Sequence, residues 1–178
     1  MDLRNTSTAF GSVARGLHWS MALLIVVSLA MIELRDWAPR GSALRSGLRD
    51  WHSQVGLVVF ALVWLRLYWR FVNIEPAIVP PPAVWQRRAS HAVVWTFYAL
   101  MLALPVLGIV MMQADGKTVS LLGAALPSMV EVDKVWAHRL EGVHEWLGNA
   151  MMALIGLHVG ASLWHTFVHR DNTLARMW

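Results

Sequence analysis

The segment EGVHEWLGNAMMALIGLH, residues 141–158, decides the fold of this chain. It is almost purely apolar, yet it carries His144 and His158, which stand fourteen residues apart. A helix turns about 100° and rises about 1.5 Å per residue, so fourteen steps return to nearly the same face about 21 Å further along the axis. A hydrocarbon core is about 30 Å thick, so one membrane-spanning helix would hold the two imidazoles at different depths. Polar groups at such depths are costly and usually mark a functional path.

The composition of the whole chain also indicates a membrane protein. Of its 178 residues, 57% are hydrophobic and only 15% are charged, with a mean hydropathy of +0.48. These values lie outside the range of soluble domains. The sequence has no cysteine, which excludes disulfides, iron–sulfur clusters and the covalent attachment of c-type haem. The basic residues lie at the ends of apolar segments, so membrane topology explains them better than a nucleic-acid partner does.

Four apolar segments have the length of membrane spans, and the predicted fold class is all-α, an integral membrane four-helix bundle. We expect a single domain over residues 1–178, with spans at about 15–32, 50–71, 88–113 and 140–168. The first segment could be a cleaved signal peptide, but cleavage would remove His18, and the segment does not end in small residues. The apolar residues 119–129 are too short to span, and we expect them to lie on the surface or to cap the bundle.

Four spans place both termini on one side of the membrane. The termini and the second loop carry eight Lys and Arg against three acids, whereas the other two loops carry seven against eight. Cytoplasmic loops are usually richer in Lys and Arg, so we expect both termini in the cytoplasm. This orientation places His18 and His158 near the inner face, and His52 and His144 near the outer face. The four histidines therefore pair by depth.

Two such pairs could hold two haems, with two imidazoles on each iron. We expect His18 with His158 on the inner iron, and His52 with His144 on the outer iron. A single zinc or copper site is excluded, because its imidazole nitrogens would all have to lie within about 2.1 Å of one metal. A lone histidine in an apolar segment is more often a hydrogen-bonded core residue, so each histidine by itself has this simpler explanation. A separate alternative for the whole chain is a non-redox membrane module whose histidines bind metal or protons.

Further polar residues could serve substrates on each side. His165 lies one heptad beyond His158 on the same helix face, and His91 begins the third span. Each could bind a quinone carbonyl or relay protons to the quinone. Alternatively, each could be only a polar side chain at the membrane interface. On the outer side, three cations could draw small anions toward the outer haem, or could pair with haem propionates or lipid headgroups. These cations are Arg45, Arg49 and Lys117.

The chain resembles the bacterial cytochrome b561 family, which consists of four-helix di-haem membrane proteins. The matching pieces cover nearly the whole chain and include two tracts, LPVLGIVMM at residues 104–112 and DNTLARM at residues 171–177. The dipeptide His18-Trp19 that opens the first span and His52 at the start of the second also match. The chain is more loosely similar to the cytochrome b subunits of formate dehydrogenases and nickel–iron hydrogenases.

The resemblance implies ligation of haem b by His18, His52, His144 and His158, and electron exchange with ubiquinone in a bacterial inner membrane. One branch of the family is a superoxide oxidase, a superoxide:ubiquinone oxidoreductase that oxidises periplasmic superoxide to dioxygen. His165 falls where that branch has a histidine linked to quinone. We therefore expect superoxide oxidation at the periplasmic face. The alternative is a haem b anchor subunit that relays electrons between a protein partner, such as a dehydrogenase or a soluble cytochrome, and the quinone pool.

Overall fold

The computed structural model describes residues 2–178, and long α-helices dominate this part of the chain. The four helices are α1 (Ser12–Trp37), α2 (Ala43–Phe71), α3 (Val84–Ala114) and α4 (Lys134–Trp164). A π-helical turn (His165–His169) continues α4, a 3-10 turn (Ala175–Met177) follows, and the strands β1 (Ser120–Leu121) and β2 (Ala124–Ala125) form a short antiparallel hairpin. All four helices are long and apolar enough to cross a membrane. The predicted all-α membrane four-helix bundle is therefore confirmed.

Helices α2 and α4 begin before the predicted spans because polar caps, rather than the limits of hydropathy, set their N-terminal ends. The side chain of Ser42 accepts a hydrogen bond from the backbone N–H of Arg45, so α2 begins seven residues before the predicted start of its span. At the start of α4, one carboxylate oxygen of Asp133 accepts from the backbone N–H groups of Val135 and Trp136, both at 2.9 Å. Such caps satisfy N–H groups that have no partner within the helix.

The helices pack in the order of the chain, with α1 on α2, α2 on α3 and α3 on α4. A small buried cluster lies between them, formed by Met21, Val59, Val63, Tyr98, Leu100, Met101 and Met151. Many large apolar side chains, including Leu23, Trp64 and Leu157, point outward and are about half exposed or more. An outward apolar surface with a small protein core is the arrangement expected for a bundle surrounded by lipid.

The end of the bundle that carries both chain termini, called here the terminal end, is closed by residues 171–178. The side chain of Asn172 accepts a hydrogen bond from the backbone N–H of Val79, at 2.8 Å, and thereby holds the proline-rich connector. The guanidinium of Arg176 is buried, donates to the carbonyl of Pro76 and stacks over the ring of Phe10. The tail therefore joins the connector to the N-terminal segment.

The opposite end, called here the loop end, is covered by the β-hairpin. The side-chain amide of Gln54 on α2 donates to the carbonyl of Ser120, at 2.6 Å, and accepts from the N–H of Leu122, at 2.9 Å. Gln113 on α3 holds the next part of the same loop through Pro127 and Met129. The apolar segment 119–129 is thus fastened across the bundle by two glutamines.

We expect the substitution Gln54→Ala to release the hairpin from α2. Two hydrogen bonds are lost, each of which contributes about 1 kcal/mol, so the amide of Leu122 should exchange its hydrogen at least tenfold faster. Hydrogen exchange followed by mass spectrometry measures this rate. As a control, Gln113→Ala should accelerate exchange at Met129 and leave Leu122 unchanged. An unchanged rate at Leu122 in Gln54→Ala would show that other contacts hold the hairpin.

Candidate functional site: two pairs of histidines

Four of the histidines singled out from the sequence meet inside the bundle as two pairs. The ring centres of His18 and His158 are 6.3 Å apart, and those of His52 and His144 are 6.2 Å apart. The ring planes of the pairs are inclined at 68° and 79°. Helices α1 and α2 contribute one histidine each and α4 contributes two, so the fourteen-residue step along α4 separates the pairs.

These spacings suit two imidazoles on opposite sides of one metal. An imidazole nitrogen lies about 2 Å from a metal that it binds, and the ring centre lies about 1 Å behind it, so the two ring centres are about 6 Å apart. Across residues 2–178, no group of three or more His, Asp or Glu side chains could hold a bare ion. The pairs are therefore suited to a group that brings its own equatorial ligands, as a haem does.

The loop-end pair lies in the wall of a cavity of about 810 Å³. Gly56 and Gly148, which follow His52 and His144 by one helical turn, also line this cavity. A Cβ atom built on either glycine would meet nothing within 4 Å. The absence of side chains at these positions leaves open space beside the imidazoles, as a flat macrocycle requires.

Hydrogen bonding at the loop end leaves ring nitrogens available. Nδ1 of His52 lies 2.9 Å from the carbonyl oxygen of Ser28 and 3.0 Å from its hydroxyl. Because a carbonyl only accepts, Nδ1 carries the proton and Nε2 presents its lone pair, the usual arrangement of a metal-binding histidine. Nδ1 of His144 is buried without a hydrogen-bond partner in the described part of the chain. The donor chemistry of this pair therefore fits a haem iron.

The terminal-end pair has different surroundings. Nδ1 of His18 lies 3.2 Å from a guanidinium nitrogen of Arg66, and the ring of Phe97 meets His158 edge-on with centres 5.4 Å apart. Arg66 is one of the eight Lys and Arg residues counted above for the termini and the second loop, and its contact with His18 was not predicted from the sequence. One signal could have revealed it: Arg66 follows His52 by fourteen residues, the same step that joins His144 to His158.

His165 belongs to a second polar group at the terminal end. Nδ1 of His165 donates to the carboxylate of Asp171, at 2.5 Å. The ring centres of His165 and His169 are 5.1 Å apart. Nε2 of His169 lies 3.2 Å from the side-chain amide of Gln86. These side chains line a cavity of about 280 Å³ together with Pro80, Pro81 and Pro82. Both histidines lie in the π-helical turn, a type of turn that is frequent at functional sites. His91 is exposed on α3 and does not line this cavity.

The hydrogen bonds around Asp171 favour its ionised form. Burial acts to raise the pKa of this carboxyl, but hydrogen bonds from His165 and Thr173 outweigh it and hold the pKa below its usual value. The carboxylate is therefore charged at neutral pH and fixes the proton of His165 on Nδ1.

The three cations singled out at the loop end each have a carboxylate partner. Arg45 contacts Asp36 at 3.1 Å and also donates to the carbonyl of Arg35 near the end of α1. Arg49 contacts Asp50 at 3.4 Å. Lys117 contacts Asp115 at 2.5 Å. Hydrogen bonds from Lys117 and Lys134 lower the pKa of Asp115 to about 2. Five cationic and five carboxylate side chains line the loop-end cavity. The charges of the side chains around the loop-end cavity are therefore largely balanced.

The membrane fold and the intramembrane histidine pairs define the class of the protein, a membrane haem protein. The chain belongs to the prokaryotic cytochrome b561 family, whose model matches residues 9–178, and this family carries haem b. The resemblance seen in the sequence is thereby confirmed.

Several curated relatives cover most of their own length and of this chain. The chain is 37% identical over 161 residues to cytochrome b561 homolog 1 of Escherichia coli K12, which covers 90% of this chain and 92% of the relative. It is 32% identical over 162 residues to the probable superoxide oxidase CybB of Yersinia pestis, with 91% of each chain covered. It is 25% identical over 185 residues to cytochrome b561 homolog 2 of Escherichia coli K12, with 99% and 95% covered.

We expect Asp171→Asn to destabilise the protein at neutral pH but much less in acid. Because the pKa of Asp171 is lower in the folded than in the unfolded protein, its ionised form stabilises the fold above the ordinary carboxyl pKa of about 3.9. This stabilisation is lost as the pH falls from there through the folded-state pKa. Thermal unfolding at pH 7 should show a loss of about 2 kcal/mol, and the difference from wild type should shrink at pH 3. Asp2→Asn, at an exposed carboxylate of the same end, is the control; an equal deficit at both pH values would contradict the assignment.

Proposed function

We propose that the chain binds two haem b groups and carries electrons from the loop end to the terminal end. His18 and His158 would hold one haem, and His52 and His144 the other. The observation that carries this proposal is the spacing of the ring centres, 6.3 Å and 6.2 Å, in two pairs on opposite halves of the bundle. Bound there, haem b supplies one-electron redox chemistry. The helices fix the positions of the four imidazoles.

At the terminal end, we propose that the electrons reduce ubiquinone. Ubiquinone takes up two electrons and two protons to give ubiquinol, so a proton donor must stand beside it. Asp171 holds Nδ1 of His165, which leaves Nε2 to hydrogen-bond a quinone carbonyl or to transfer a proton. The nearby cavity of about 280 Å³ supports this role. His91, which is exposed and outside that cavity, is the weaker candidate for contact with quinone.

At the loop end, we propose that the donor is superoxide. Two superoxide anions each lose one electron to give two dioxygen molecules, which balances the reduction of one ubiquinone. The relative from Yersinia pestis that is named a probable superoxide oxidase supports this substrate. In this proposal Arg45, Arg49 and Lys117 attract the anion, although their carboxylate partners reduce the attraction.

We propose a bacterial inner membrane as the location, with the terminal end in the cytoplasm and membrane lipid around the bundle. The excess of Lys and Arg over acids in the termini and the second loop supports this orientation. Superoxide would then react on the periplasmic side, and ubiquinone would be reduced toward the cytoplasm.

A haem b anchor that takes electrons from a protein partner is the second candidate. The observation that favours it is the balance of five cations and five carboxylates around the loop-end cavity. A balanced surface gives a small anion little electrostatic guidance, whereas a protein partner can dock by matching both charges.

We expect His158→Ala to bind about one haem per chain where the wild type would bind two, because one of the two histidines that would hold the terminal-end haem is lost. The pyridine haemochrome assay, normalised to protein, measures this ratio. His138→Ala removes an exposed histidine at the start of α4 and should retain both haems. Two haems in His158→Ala would refute the assignment of this ligand.

Stopped-flow mixing of the purified protein with superoxide and ubiquinone distinguishes the two candidate donors. If superoxide is the donor, it reduces the haem without any added protein, and ubiquinol accumulates. The second-order rate constant should fall as ionic strength rises, because salt screens the attraction of an anion. A rate constant that does not change with salt would remove the steering role of Arg45, Arg49 and Lys117. Reduction only after a donor protein is added would favour the anchor.

A further inference from the structure

Arg66 is a charged side chain inside the bundle that the proposed function does not use. It lies on α2 fourteen residues after His52, which brings it about 21 Å along the helix to the depth of the other histidine pair. Its guanidinium is 3.2 Å from Nδ1 of His18. The side chain is only partly exposed. Arg66 is thus the charged group in direct contact with the terminal-end pair.

The charge of Arg66 has no carboxylate partner among the ion pairs of residues 2–178. Arg70, one turn further along α2, does have one, because it contacts Glu75 at 3.0 Å. A guanidinium is not deprotonated in proteins, so Arg66 keeps a full positive charge. Inside an apolar bundle such a charge acts strongly on any group a few ångströms away.

The loop-end pair has the opposite environment. Nδ1 of His52 donates to the carbonyl of Ser28, which makes the imidazole a more electron-rich ligand. The charged side chains that line the cavity there balance, five against five. An electron-rich ligand stabilises oxidised iron, whereas a nearby cation stabilises reduced iron, which carries one positive charge less. Both differences between the two sites act in the same direction.

We propose that Arg66 raises the reduction potential of the terminal-end haem above that of the loop-end haem, so that electrons move from the loop end to the terminal end. This inference rests on the proposed binding of two haems. Arg66 is a positioning residue, because it acts through its field and through His18. If His18 binds iron through Nε2 and keeps its proton on Nδ1, the hydrogen bond from Arg66 is lost, but the charge stays at the same depth.

The test is an equilibrium redox titration of the purified holoprotein, after its haem content per chain has been measured. We expect Arg66→Gln to lower one of the two midpoint potentials by at least 59 mV, a tenfold change in the equilibrium constant of a one-electron couple. Arg66→Lys, which keeps the charge, should recover most of this shift. Arg70→Gln, whose charge is already paired with Glu75, is the matched control and should leave both potentials unchanged.

Single-haem backgrounds identify which haem responds. Arg66→Gln should shift the potential in the His144→Ala background, which retains the terminal-end haem, and not in the His158→Ala background. If Arg66→Gln loses haem, Leu62→Glu serves as the second variant, because it keeps Arg66 and places a carboxylate one turn away, with the same expected fall.

Two negative results would have different meanings. Two haems per chain whose potentials do not respond to these variants, or respond equally, would overturn the role of Arg66 alone. One haem per chain in the wild type would overturn the proposed function itself.

Discussion

The structure depends on the free-energy cost of placing four imidazoles among apolar helices. A polar ring in hydrocarbon is costly unless a protein group or a bound group satisfies its nitrogens. The bundle brings α1, α2 and α4 together so that the rings face one another at two depths. Nδ1 of His52 finds a partner in Ser28, whereas Nδ1 of His144 finds none in the described part of the chain. Helix α3 contributes no histidine to the pairs and serves as a wall, with Gly108 close to His144 and Phe97 against His158. Packing, hydrogen bonding and the proposed cofactors all follow from this arrangement.

The two ends of the bundle are closed by the same kind of interaction, in which a side-chain amide forms hydrogen bonds with backbone groups of a loop. Gln54 and Gln113 hold the loop-end segment, and Asn172 holds the proline-rich connector at the terminal end. Each amide both donates and accepts, so a single residue can fix an irregular backbone that has no helical or sheet partners. At the terminal end, the connector held in this way also lines the cavity of about 280 Å³.

The histidine pairing could be predicted from the sequence for two reasons. The fourteen-residue spacing places His144 and His158 at different depths, and the alternating direction of the four spans places His18 and His52 at the matching depths. The predicted spans follow hydropathy and do not give the helix ends, since hydropathy does not detect caps such as Ser42 and Asp133. The partners of Arg45 and Lys117 were also missed, because pairing at a surface depends on side-chain directions that spacing alone does not reveal. Arg66 entered the sequence argument only in the count of Lys and Arg residues on each side of the membrane. Its spacing of fourteen residues from His52 indicates the depth of the terminal-end pair, where the structure shows it beside His18.

The docking of residues 171–178 has a consequence for how the protein is made. Arg15, near the start of α1, donates to the carbonyl of Trp178, and the indole of Trp19 donates to the carbonyl of Met177. These contacts join segments about 160 residues apart in the chain. During synthesis, α1 enters the bilayer long before its partners in the tail leave the ribosome. Until the tail has been synthesised, the guanidinium of Arg15 and the indole of Trp19 lack these carbonyl partners, so this end of the bundle is completed last.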